Sequence, residues 1–356
     1  EIHSDRSDFT RPMPKDLEAL DPKAKAQWSK CHEYATQITE DIKSKYPELS
    51  QGLVEGDKAH NKLVRKQAKL ASSEVKRNIQ GMQLHLAEKG ILVSEDQAEN
   101  VVAKQVEKHL KQGNFDKAKK AIADHANVYA GIKNAKSVIE DQWRSTGAKA
   151  PDFSELKFVI TSEDSKVSGS NRKTQHAKDM RGGVFGHYNN VTGDIVIDAR
   201  DVNFVKSKSW FGGSGYTGST GGIVHEIAHQ MHHRKLMNTD SGNKWNSTID
   251  FTAAKPSKSS PGRSLTISIG ELLDKRISTL ERKMPENKFD PSSGDVYEPN
   301  MSFDKKYLPV AKKLGGYAQT NWEEFVAEAC AVKTLDPARW EKMHDVRELY
   351  DSLGGP

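Results

Sequence analysis

The sequence predicts an α+β protein with a helical first half and a mixed second half, and three observations carry that expectation. From about residue 17 to 145, apolar residues recur at three- and four-residue steps, as one face of a helix requires. Past residue 150 the pattern changes to short runs rich in Val, Ile and Phe, bounded by turn residues. A Gly-rich stretch over residues 212–222 then leads into His225-Glu226-Ile227-Ala228-His229, whose H-E-x-x-H spacing belongs on a helix.

The elements follow in order. Residues 1–16 hold charges, Ser and two Pro with little apolar content, and read as a flexible arm. Residues 17–145 read as an all-α domain. Within it Leu63, Leu70, Ala71, Val75, Ile79, Met82 and Leu86 form one apolar stripe, ended by Gly90. Ser94 and Gln97 have the spacing of a capping box for a helix faced by Val102, Val106 and Leu110. Gly113-Asn114 breaks that helix, and another runs to about Trp143. Residues 101–150 carry ten Lys/Arg against five Asp/Glu, so a basic docking face for a protein partner is expected there if anywhere in this half.

The second half, residues 146–356, begins near Gly147 and Pro151. Leu156–Ile160, Val184–Tyr188 and Asp194–Asp198 read as strands. If the last is an edge strand, an extended peptide could add to it through main-chain hydrogen bonds. Ser219 or Thr220 is placed to cap the helix that carries the His pair. Residues 239–300, with Ser/Pro/Gly-rich loops and a helix over Ile267–Met284, read as an insertion.

Composition excludes several classes. The mean hydropathy is −0.75 and no run of eighteen apolar residues exists, so no ordinary membrane-spanning helix is expected. The net charge of +5 is mild and interspersed, so no nucleic-acid role is indicated. Cys31 and Cys330 lie far apart and neither has metal-ligand spacing, which rules against a disulfide scaffold. A chain starting at Glu1 reads as a processed product or a fragment.

The chemistry concentrates in the H-E-x-x-H segment. Two imidazoles one helical turn apart can ligate one zinc ion, and the carboxylate between them can take a proton from a zinc-bound water. Hydrolytic zinc sites use three protein ligands and leave the fourth position open. His232 and His233 follow the motif, but a third His from the same helix strains a tetrahedron. The other supplier is a helix over Asn321–Lys333, which offers Glu323 and Glu324.

Tyr317-Ala-Gln-Thr-Asn-Trp-Glu-Glu324-Phe-Val-Ala-Glu328, together with the His motif, resembles the protease domain of the anthrax lethal factor family, which includes toxin-like domains of phage and bacterial proteins. The resemblance covers about residues 155–345. It implies a zincin-like domain, a small twisted sheet with active-site helices, placed after the helical half. It implies zinc ligands His225, His229 and Glu324, a general base in Glu226, and Tyr317 as the hydrogen-bond donor to the transition state. Glu328, one turn after Glu324, is a candidate to orient a ligand His. The 95 positions between His229 and Glu324 exceed the family's usual spacing, as an insertion would explain.

The expected function is that of a zinc-dependent endopeptidase acting on a protein or peptide, with the helical half serving a partner. Two alternatives remain: a zinc hydrolase of non-protein amides, and a delivered or virion-associated protein whose zincin domain is vestigial.

Overall fold

A computed structural model describes residues 22–95, 101–147, 156–161, 186–189, 193–199, 218–237, 306–319 and 322–356. The elements are α1 (Pro22–Lys45), α2 (Lys58–Ala87), β1 (Ile91–Glu95), α3 (Val101–Lys111), α4 (Phe115–Ser145), β2 (Leu156–Thr161), β3 (Gly186–Tyr188) and β4 (Asp194–Asp198), then α5 (Ser219–Met237), α6 (Leu308–Lys312), α7 (Trp322–Leu335), α8 (Pro337–Trp340) and α9 (His344–Ser352). The fold is therefore α+β, mostly helical, with one small mixed sheet. The arm of residues 1–16, the insertion of residues 239–300 and the expected helix Ile267–Met284 lie outside the described residues.

Helix boundaries follow from local chemistry. Asp57 and Asn114 each accept a backbone N–H three residues on, from His60 and Lys117, and so start α2 and α4. Gly90 and Gly113 follow α2 and α3 in the left-handed conformation, at φ 77° and 68°, where an L side chain would be strained. α2 buries Val64, Ala68, Ala71, Val75, Ile79 and Leu86. This corrects the expected stripe: Leu63 and Leu70 lie on the opposite, exposed side.

The expected all-α half contains a strand. β1 pairs in parallel with β2, Ile91 opposite Leu156 and Glu95 opposite Ile160. The sheet order is β1-β2-β4-β3, with β3 antiparallel to β4. Ser94 therefore lies in a strand and does not open a capping box. Glu95 takes the capping part, its Oε2 accepting from Val102 N at 3.3 Å at the start of α3. Burial raises the Glu95 pKa to about 7, against the backbone N–H groups of Val102 and Val101 that favour its charge. Asp194–Asp198 is an interior strand, so the condition for peptide addition to it is not met; β3 holds that edge among the described residues.

One apolar core runs from Trp28 of α1 through Ile132 of α4 and the sheet residues Phe158 and Ile197 to Ile223, Val224 and Ile227 of α5. A second cluster, built on Phe325, Val326 and Tyr350, packs α7 against α9 and reaches Ala228 of α5. Each fully buried Ile, Val or Phe stabilises by roughly 1.5–3 kcal/mol, so α5 is held from both sides. The helical half grips it directly. Ser219 Oγ donates to Asn127 O at 2.8 Å and accepts from Gln27 Nε2 at 2.7 Å, while Thr220 Oγ1 donates to Gln27 Oε1 at 3.0 Å. Ser219 thus ties α5 to α1 and α4, and Thr220 ties it to α1, where a helix cap was expected. A Cβ on Gly131 would stand 2.3 Å from Ser219 Oγ, so this close crossing depends on glycine.

Candidate metal centre

α5 presents His225 and His229 one turn apart on the side facing α7. α7 begins just after a 3-10 turn, Tyr317–Gln319, preceded by Gly315 at φ 145°. That redirection brings Tyr317 and the first turn of α7 against α5. Across the gap, His225 Nε2 stands 3.0 Å from Glu324 Oε2, His229 Nε2 stands 3.3 Å from the same oxygen, and the two Nε2 atoms are 3.1 Å apart. The imidazole rings meet edge to face at 82°.

These three atoms form a nearly equilateral triangle. Ligands about 2.0–2.1 Å from a tetrahedral zinc are spaced about 3.3 Å from one another. The donor set therefore fits zinc in both spacing and chemistry. Two imidazoles and one carboxylate suit a borderline-soft cation better than magnesium or calcium, which take all-oxygen shells. The three residues are brought together from positions 95 apart in the chain.

The electrostatics point the same way. Burial opposes charge on His225 and His229, yet the carboxylates of Glu324 and, at His225, of Glu328 raise both imidazole pKa values. Burial likewise opposes charge on Glu324, and the two imidazoles hold it well below the usual carboxylate range. The cluster thus calls for positive charge among its carboxylates, as a proton or as a cation.

Glu328 is fully buried, and its Oε1 lies 3.4 Å from His225 Nδ1, the ring nitrogen that faces away from the triangle. That places a carboxylate beside the ring nitrogen that is not turned toward the triangle. Burial raises the Glu328 pKa to about 7. Tyr317 donates from its hydroxyl to Glu324 Oε1 at 3.3 Å, and burial keeps the phenol protonated.

Glu226 points to the other flank, against β3. A Cβ on Gly186 would come within 2.7 Å of Glu226 Oε1; burial raises the Glu226 pKa, against the His225 and His229 imidazoles and the Tyr188 backbone N–H, which favour its charged form. Gly186 and the Tyr188 amide are site components that the sequence reading missed. The available signal was a glycine inside a strand pattern, which marks close approach of another group.

The remaining candidates are set apart. His232 Nε2 bonds the Leu353 carbonyl at 3.0 Å, so it anchors the C-terminal segment and stands outside the triangle. Glu323 is likewise not part of the group. The His233 side chain lies outside the described residues. No protein-family model, no curated protein and no solved structure matches the chain. No helix among the described residues is long and apolar enough to cross a membrane.

Proposed function

We propose that the chain is a zinc-dependent endopeptidase of the zincin type, related to the lethal factor protease domain. The observation that carries this reading is the convergence of His225, His229 and Glu324 beside a buried carboxylate, Glu226, that belongs to the same helix but is not a ligand. A merely structural His pair has no need of that fourth group.

His225, His229 and Glu324 would hold the metal. Zinc, when bound, supplies a Lewis acid and a water made acidic near neutrality. Glu226 accepts the proton of the attacking water at its carboxylate and later delivers it to the leaving amine. Burial raises its pKa above the ordinary carboxylate value, which makes it a stronger base for the first task. Tyr317 donates its hydroxyl proton in a hydrogen bond to the oxyanion that develops on the scissile carbonyl. Glu328 holds the His225 ring in one tautomer.

The position of Glu226 favours a peptide over a small amide. It lies against β3, the strand at the sheet's end among the described residues. An extended peptide adding to that edge is aligned by main-chain bonds and brings its carbonyls past Glu226.

Glu226→Gln preserves shape and cannot accept a proton. It is expected to keep the metal and the melting temperature and to lose roughly two to four orders of magnitude in peptide hydrolysis. Full activity in a metal-loaded Glu226→Gln sample, or no cleavage of any peptide by the metal-loaded wild type, would sink the proposal.

A further inference from the structure

α2 spans 30 residues, and its outward face is strongly basic. It carries Lys58, Lys62, Arg65, Lys66, Lys69, Lys76 and Arg77, all exposed, against a single acid, Glu74. Glu74 is already taken by Lys45 and Tyr46 of the preceding segment. None of the seven bases forms an ion pair among the described residues. The neighbouring helices behave differently: Lys111 pairs with Glu107, Lys120 with Asp124 and Lys136 with Glu140, each one turn away. A solvated helix face normally intersperses its signs in that manner. α2 does not.

The same face holds the apolar surface. The exposed large hydrophobics among the described residues are Leu53, Leu63, Leu70, Leu84 and Leu92, between 40% and 66% exposed. All five lie on α2 or within a few residues of its ends. Their order along the helix is regular. Leu63, Leu70 and Leu84 fall on one heptad position, with Arg77 filling the step between the last two, and Lys62, Lys69 and Lys76 precede that row by one residue. The leucine row with like charges beside it gives a narrow apolar strip bordered by positive charge, which an amphipathic helix of opposite charge can cover. At the C-terminal end of α2 the row runs into a groove of about 650 Å³, lined by Leu84, Leu92 and Val93 together with Gln83, Lys157 and Asp194.

We propose that the outward face of α2 is a docking surface for an acidic amphipathic helix of another protein. Its Glu or Asp side chains would meet Lys62, Lys69 and Lys76. Its apolar seam would cover Leu63 and Leu70, and its end would fill the groove beside Leu84 and Leu92. Charge decides against a second copy of this chain through the same face, because two α2 helices would oppose base to base. The groove decides against a lipid surface, which is flat and leaves a concavity unfilled. The leucines decide against single-stranded nucleic acid, which stacks its bases on aromatic rings. The sequence allowed a basic face over residues 101–150; there Lys111, Lys120 and Lys136 pair with acids one turn away, whereas the seven bases of α2 make no ion pair among the described residues. This assignment is independent of the metal centre and holds whether or not the site is catalytic.

The test uses the full chain and four fluorescent or competing probes. One peptide repeats leucine seams flanked by Glu at heptad spacing; a second carries Lys in place of each Glu. Phosphatidylserine vesicles and a single-stranded oligonucleotide complete the set. Anisotropy titrations should show binding of the Glu peptide, weakened by salt, and none of the Lys peptide. Lys62→Glu, Lys69→Glu and Lys76→Glu combined should weaken it at least about tenfold. Leu63→Ser with Leu70→Ser should also weaken it, with less change in its salt dependence. The single variants Lys69→Gln and Leu70→Ser supply the same two readings if either combination misfolds. The melting temperature of each exposed-site variant should match the wild type. The proposal is overturned if the Glu peptide binds no tighter than the Lys peptide, if the Lys or the Leu substitutions leave its affinity unchanged, or if vesicles or oligonucleotide bind while the Glu peptide does not.

Discussion

α2 and the α5–α7 pair treat their ionisable groups in opposite ways. α2 sets seven bases in water and pairs none of them among the described residues. α5 and α7 take two imidazoles and three carboxylates out of water and crowd them together. An exposed charge costs little, so a bare basic face can persist for the sake of a partner. A buried carboxylate costs several kcal/mol unless something compensates it. The difference teaches where to look for chemistry. Groups that are expensive to bury and are nevertheless buried together mark the place where a bound cation is worth testing for.

Breaking the buried side should have the larger consequences. Tyr317→Phe keeps the ring and its packing and removes only the donor. Peptide hydrolysis should fall about a hundredfold, equivalent to about 3 kcal/mol of transition-state stabilisation, with zinc content unchanged. An unchanged rate with a lowered melting temperature would make Tyr317 a core residue that merely bonds Glu324.

Glu328→Gln probes the support behind His225. Zinc affinity, measured by competition with a chelator, should weaken about 10- to 100-fold while the ligand atoms stay in place. Equal affinity would show that the 3.4 Å contact does not set the ring's orientation.

Glu95 is the intermediate case, a buried carboxylate compensated by backbone N–H groups and by no cation within bonding reach. Its folded pKa of about 7 lies above the unfolded value of 4.5. The folded state then binds the extra proton, so stability is undiminished below about pH 4.5, falls through the window to about 7, and stays lowered above it. Glu95→Gln removes that cost. Relative to the wild type it should gain on the order of 2 kcal/mol between pH 5 and pH 8. Denaturant melts at the two pH values check this, and parallel curves for the two proteins would contradict it.

The candidate site was largely legible in the sequence because its parts are short and local. H-E-x-x-H puts His225, Glu226 and His229 on one helix by spacing alone, the resemblance singled out Glu324 and Tyr317, and Glu328 follows one turn after Glu324; the fold brings His225, His229 and Glu324 together. The chain reading failed where tertiary contacts choose between equivalent local options. Leu63 and Leu70 fit a helical stripe as well as Val64 and Ala68 do; only packing against the core reveals which row is inside. Ser94 and Ser219 have capping chemistry, but β1 pairing with β2 claims the first residue, and the α1–α4 crossing claims the hydroxyl of the second. β1 itself is five residues between helices, too short to announce a strand whose partner lies 65 positions on, as Leu156 does from Ile91.

The most direct measurement of the central claim is the metal content of the purified chain beside five single variants. The account predicts about one zinc per wild-type chain, and strong loss in each of His225→Ala, His229→Ala and Glu324→Ala, with Glu323→Ala and His232→Ala retaining it. A wild-type chain that takes up no zinc when it is supplied, or a Glu324→Ala variant that holds it as the wild type does, would contradict the assignment.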